Sequence, residues 1–138
     1  MRDRRQPETL RLRQISPAIT TSDLQASLHW YTEVMGFYPG ETFEEDGELL
    51  GVSVRAGSID IFLGQDDFKK GKDRVKGAGF RFYCTTAQDV DDLAAAIKYR
   101  GGDILEEPND KPWGTREFAV RDPDGFTFTI SSPNDRED

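Results

Sequence analysis

Residues 19–36 read ITTSDLQASLHWYTEVMG, and residues 84–101 read CTTAQDVDDLAAAIKYRG. The two stretches occupy the same place in two halves of the chain. Thr20 is answered by Thr85 and Gly36 by Gly101, a constant offset of 65 residues. In the first, Leu24, Leu28, Tyr31 and Met35 recur at spacings of four, three and four, which draws one apolar stripe along a helix. Val90, Leu93, Ala94 and Ile97 do the same in the second. Ser22 or Asp23 and Gln88 or Asp89 stand where the helices start, with the first pair able to cap exposed N–H groups; Gly36 and Gly101 end them. The apolar residues just ahead of each stretch read as a strand.

Three strand-like runs follow each helix: 37–43, 49–55 and 58–63 in the first half, then 103–106, 116–121 and 126–131 in the second. Glu44–Glu48 turns the chain between the first two, and Asp122-Pro123-Asp124-Gly125 is a strong turn signal in the second half. Each half is therefore βαβββ. Neither is long enough to bury its own sheet well, so the two share one core.

The wider composition agrees. A chain of 138 residues is one domain by default and buries roughly two-thirds of its unfolded surface without disulfides. The net charge of −8 argues against nucleic acid as a partner, since phosphate backbones demand clustered Lys and Arg. No apolar run is long enough to span a membrane. The lone cysteine, Cys84, excludes an intramolecular disulfide framework and suits a reducing, cytoplasmic setting; on its strand it reads as inert core. The lone histidine, His29, makes His-rich metal or Ser-His chemistry improbable and sits on the first helix. Residues 1–11 form a basic arm expected to be flexible, with no apolar core of a secretory signal behind it. The domain is expected over 12–132, with modules 12–68 and 78–132. A solvated basic linker, 69–77, joins them, and a polar tail covers 133–138.

These features resemble the vicinal oxygen chelate superfamily, the glyoxalase/bleomycin-resistance/dioxygenase fold. The specific matches are Thr21-Ser22-Asp23-Leu24 leading into Ser27–Tyr31 and Met35-Gly36-Phe37, and Pro112–Phe118 running into Arg121–Gly125. The resemblance implies an α+β fold in which the two βαβββ modules form a curled, mixed eight-stranded sheet. That sheet is a cup with helices outside, often in a dimer. It also implies where a metal would sit, because metal-dependent members place His, Gln or Glu on the first strand and Glu on the last strand of each module.

Strand alternation assigns those positions here. Ile15, Pro17 and Ile19 are expected against the first helix, which leaves Ser16, Ala18 and Thr20 facing the cup. The offset of 65 turns Arg81, Tyr83 and Thr85 inward, with Phe80, Phe82 and Cys84 behind. On the closing strands Asp60 and Phe62, then Thr127 and Thr129, face inward. The ligand positions thus hold Ser16, Asp60, Arg81 and Thr129. Only Asp60 suits a divalent cation and Arg81 repels one, so no metal and no cofactor is expected.

The cup is then read as a binding pocket for a small organic molecule. Asp60 and Arg81 either pair across it as a polar anchor or serve structure or solvent alone. Phe62, Tyr83 and Trp113 line it or complete the core, with Trp113 in a Pro-Trp-Gly loop better suited to a rim. Without residues 1–13, which hold five Arg against Asp3 and Glu8, the chain carries −11, and Glu41, Glu44, Glu45, Asp46 and Glu48 form an acidic cluster. That balance favours a cationic ligand, unless it serves only solubility. The expected protein is a metal-free, bleomycin-resistance-like binder, as a homodimer. The alternatives are a lyase, isomerase or thiol transferase of the same fold, and a protein acting through protein contacts.

Overall fold

The first-half stretch begins as strand β1 (Ala18–Thr21) and continues as helix α1 (Leu24–His29), which widens without a break into a π-helical segment, Trp30–Met35. The computed structural model of the chain describes residues 10–134. Most of the basic arm and the end of the polar tail lie outside the described residues. Strands β2 (Tyr38–Glu45), β3 (Glu48–Ala56) and β4 (Ile59–Gln65) complete the first module. The second repeats the order: β5 (Arg81–Thr85), α2 (Val90–Tyr99), β6 (Asp103–Asp110), β7 (Thr115–Arg121) and β8 (Thr127–Pro133).

Local chemistry explains the boundaries. The Asp23 carboxylate accepts the Ala26 N–H at 3.1 Å, and that of Asp89 accepts those of Asp91 and Asp92. Each cap satisfies donors that the first helical turn leaves without partners. Asp46 and Gly47 both take left-handed φ, 53° and 78°, the pair of angles a tight hairpin needs to match strand twist. Thr32 donates its hydroxyl back to the Leu28 carbonyl at 2.8 Å where the helix widens, and this type of bond bends helices. Widening also rotates the buried stripe. Trp30, Tyr31 and Val34 are buried while Leu28 and Met35 are only partly so.

The strands make two four-stranded mixed sheets, ordered β1-β4-β3-β2 and β5-β8-β7-β6. β1 runs parallel to β4 and β5 parallel to β8, and the remaining pairs are antiparallel. The fold is α+β with the expected pair of βαβββ modules. The eight strands do not close into one cup within the chain, because no strand of one sheet pairs with the other among the described residues.

One core serves both sheets. Val52, Val54, Ile61 and Leu63 of the first sheet and Phe118, Val120 and Phe128 of the second belong to one buried cluster with residues of both helices. The rings of Trp30, Tyr31 and Phe37 gather on Phe128, with centroids 5.9–6.4 Å away. Polar groups fasten this junction. Tyr31 OH donates to Asp122 Oδ2 at 2.7 Å, while Asp122 Oδ1 accepts the N–H groups of Asp124 and Phe126. Asp124 in turn accepts the Thr21 hydroxyl at 2.6 Å and the Ser22 N–H at 3.0 Å. The Asp-Pro-Asp-Gly turn is therefore a clasp between modules as well as a hairpin. Burial raises the Tyr31 phenol above its ordinary range and keeps it protonated as the donor.

The linker ends inside this junction rather than in solvent. Lys76 is buried with its Nζ 2.9 Å from Asp66 Oδ2, and Arg74 reaches the same oxygen at 3.3 Å. Gly77 packs on the backbone of Gly125, where an added Cβ would lie 2.3 Å from the Gly125 carbonyl oxygen. The first two residues of the expected polar tail are held by the sheet. β8 continues to Pro133, paired with Thr115, and the Asn134 N–H donates to the Gly114 carbonyl at 2.8 Å. At the other end, Ile15 is 87 % exposed and Ser16 precedes β1, so neither takes the place expected on the first strand. Phe80 is likewise half exposed, at 53 %, instead of packing behind the cup face.

Tyr31→Phe removes one buried hydrogen bond to a carboxylate and should cost about 2 kcal/mol. Asp122→Ala removes the acceptor of three donors and should cost more. Urea unfolding of both variants measures the difference, and equal stability of Asp122→Ala and wild type would contradict the clasp.

Candidate functional site

Pleating sends alternate residues of each sheet to the face without helices. On the first sheet that face carries Gly51, Ser53, Asp60, Phe62 and, paired with Gly51, Phe43. Phe62 lies across Gly51, where a Cβ would stand 2.2 Å from the ring. Its ring meets Phe43 edge to face at 5.4 Å. The absence of a side chain at Gly51 is what lets an aromatic floor form on this sheet. Asp60 does not reach Arg81. It pairs with its cross-strand neighbour Arg55 at 3.7 Å, both half exposed.

On the second sheet the corresponding face gathers Arg81, Tyr83, Thr127, Thr129 and Glu117. Arg81 donates to the Thr129 hydroxyl. Tyr83, Trp113 and Thr115 all donate to one oxygen of Glu117, Oε2. The Trp113 Nε1 bond is 3.0 Å and that from Thr115 is 2.7 Å. Trp113 reaches Glu117 because the 111–114 turn folds back on β7. Its Gly114 takes a φ of 95°, and its N–H donates to the Lys111 carbonyl. Trp113 stays 63 % exposed and Tyr83 54 %, whereas Glu117 beneath them is 4 % exposed.

Glu117 was not singled out in the sequence, although it stands in the Trp113–Phe118 stretch. Its acidic type on a strand otherwise reading Phe118-Ala119-Val120 was the available signal. Burial works to raise its carboxyl, but the bonds from Tyr83, Thr115 and Trp113 and the charge of Lys111 outweigh that. They hold it below the ordinary 4.5. Lys111 itself pairs with Glu106 at 2.5 Å and sits 5.9 Å over the Trp113 ring. Asp122, in the clasp, goes the other way: burial raises it above 3.8 against its hydrogen bonds.

The expected site residues thus fall into separate groups. Arg81, Tyr83, Thr129 and Trp113 share the second sheet's open face. Asp60 and Phe62 share the first sheet's. Ser16, exposed before β1, accepts a hydrogen bond from Gln14 at 3.2 Å. A cleft beside β5 and β8 is lined by Phe80, Arg81, Arg121 and Thr127. His29 is exposed on α1, and burial raises the half-buried Cys84 thiol.

The donor set does not fit a divalent metal. Asp60 is engaged by Arg55 and Arg81 by Thr129, and Ser16 is not in the sheet. Among the described residues no three His, Cys, Asp or Glu side chains converge on a point that could hold a metal ion.

Comparison with known proteins agrees with the architecture. The model of the Glyoxalase/Bleomycin resistance protein/Dioxygenase superfamily matches residues 12–130. The chain belongs to that superfamily. It is similar to lactoylglutathione lyase GLX1 of Arabidopsis thaliana, 28 % identical over 116 residues. That match covers 78 % of this chain but 40 % of the lyase, so the chain spans about two-fifths of its length. Virulence protein STM3117 of Salmonella typhimurium is 27 % identical over 116 residues, covering 82 % of this chain and 78 % of that protein. Its crystal structure superposes with a TM-score of 0.68 over 91 % of this chain and 99 % of that one, at 25 % identity. The crystal structure of TioX from Micromonospora sp. ML1 shares the fold with a TM-score of 0.71 at 21 % identity. It covers 88 % of this chain and 98 % of that one.

The opposed shifts of Glu117 and Asp122 give a pH test. The folded state binds the Glu117 proton more weakly than the unfolded chain does. The contribution of Glu117 is therefore complete above about pH 4.5 and lost as pH falls through its lower folded value. That of Asp122, raised on folding, is complete below about pH 3.8 and lost as pH rises through its higher folded value. Glu117→Gln should destabilise by about 1–2 kcal/mol at pH 7. The gap to wild type should narrow below pH 4.5. Thermal unfolding from pH 7 to 3 measures it, and a gap independent of pH would contradict an ionised Glu117.

Proposed function

We propose that the protein binds a small organic molecule on the open faces of its sheets, without a metal, and that two copies complete the binding cup. The observation that supports this reading most is the pairing of exposed aromatic rings with polar groups on faces no helix covers. Phe43, Tyr83 and Trp113 are each more than half exposed, and Phe62 meets Phe43 edge to face. Rings in that setting cost solubility unless they meet a ligand or a partner. Arg81, Thr129 and Glu117 beside them supply the few oriented polar groups that small-molecule sites use. The positions that the family resemblance assigns to metal ligands, Ser16, Asp60, Arg81 and Thr129, carry one carboxylate among them, which favours binding over metal-assisted lyase chemistry.

A copy of the chain supplies the missing wall. The two sheets are separate in one chain, so a second chain offers each open face a facing sheet. The acidic balance favours a cationic ligand, and a cytoplasmic setting suits the single cysteine.

The second reading is a lyase or isomerase of the same fold, and the similarity to lactoylglutathione lyase favours it. The two part on metal. Differential scanning fluorimetry with Zn, Ni, Mn and Fe is expected to show no rise in Tm, whereas stoichiometric metal bound at Asp60 would favour the enzyme.

Phe62→Ala and Trp113→Ala are expected to reduce ligand-induced stabilisation about tenfold in affinity each, as loss of a stacking aromatic does. Sedimentation should give a dimer. A monomer whose ligand response survives both substitutions would overturn the proposal.

A further inference from the structure

We infer that Glu117 is the anchor for a protonated nitrogen of the ligand, held between the Trp113 and Tyr83 rings. The inference rests on the reading that the second sheet's open face takes a ligand, and it adds the chemical class of the group recognised there.

The first observation is a buried carboxylate without a counter-ion. Glu117 is 4 % exposed, and no Lys or Arg lies within ion-pair distance of it among the described residues. Lys111, the nearest cation acting on it, is committed to Glu106, and Arg81 to Thr129. Charges in such places are usually paired, because an isolated one is costly to bury.

The second observation is the asymmetry of its partners. Tyr83, Trp113 and Thr115 all donate to Oε2 and none of the described hydrogen bonds ends on Oε1. Oε1 is not sealed, either. The buried side-chain polar atoms without a hydrogen bond are Ser27 Oγ and Lys76 Nζ, the latter beside Asp66. Three neutral donors orient the carboxylate and preserve its charge, and they leave one oxygen free.

The third is the surroundings of that oxygen. The two residues whose ring groups donate to Oε2 are each more than half exposed, and aromatic faces attract cations. The chain's own Lys111 ammonium already stands 5.9 Å over Trp113. An ammonium or amidinium donor meeting Oε1 would complete a charge-assisted bond with aromatic walls. A neutral ligand would leave the carboxylate uncompensated, and an anionic one would be repelled.

Benzamidine, benzamide and benzoate share one ring and differ in charge, so they test the inference on the full chain. The reporter is the Trp113 indole N–H resonance, whose proton points at Glu117. Benzamidine is expected to shift it in a saturable way, with benzamide and benzoate at least about tenfold weaker, the usual worth of one charge-assisted bond. Glu117→Gln should weaken benzamidine about tenfold. Lys111→Gln, at a partly buried side chain paired with Glu106, should strengthen it about two- to threefold by removing the opposing charge, with urea unfolding of the variant run beside it to confirm the fold. Equal responses to benzamidine and benzamide would overturn the anchor while leaving ligand binding standing. No response to any of the three would overturn both. A benzamidine affinity unchanged in both variants would also overturn the anchor.

Discussion

The hydrogen bond from Tyr31 to Asp122 is where two small modules become one domain. Each βαβββ unit has a sheet with one apolar face and a single helix, too little to bury alone. Phe128 gathers Trp30, Tyr31 and Phe37 around it, and this ring cluster supplies the apolar attraction between modules. Apolar contact is not directional, however. Asp122 and Asp124 give it a register by binding Tyr31, Thr21 and Ser22 at fixed distances. The linker then closes onto the same turn through Gly77, and Lys76 is drawn inside with Asp66.

That arrangement determines what the open faces can do. With the apolar faces of both sheets committed to one core, ligand chemistry is left to the faces that no helix covers. The first sheet meets this with an aromatic floor made possible by Gly51. The second meets it with a charge, Glu117, screened by residues that also present rings to solvent. The two faces are chemically unlike: the first carries the Phe43 and Phe62 rings with Ser53 and Asp60, the second Arg81 and Glu117 with Tyr83.

Much of the fold was legible along the chain, and much less of the site. The 65-residue offset announced the modules because helix and strand periods are written in consecutive residues. Alternation alone put Tyr83 and Thr129 on a common face, and the two are register partners across β5 and β8. Alternation failed at Ile15 and Phe80, which lie ahead of strands that begin at Ala18 and Arg81. Apolar type without a neighbouring strand does not bring burial. Asp60 was expected to look across the cup, but its cross-strand neighbour Arg55 was closer, and cross-strand register is not visible in a linear sequence.

By itself the sequence determined the α+β class, the two modules, the approximate starts of both helices, and the turns. Each of those depends on residues within a few positions of one another. Only the tertiary structure decided that the two sheets stay separate within the chain, that Lys76 is buried, and that Glu117 is the charged centre of its face. The physical reason is common to all three. The partners that set them come from different segments: Asp66 for Lys76, and Tyr83, Trp113 and Thr115 for Glu117. A carboxylate's charge is governed by what surrounds it in space, and those surroundings exist only once β5, β7 and the 111–114 turn have come together.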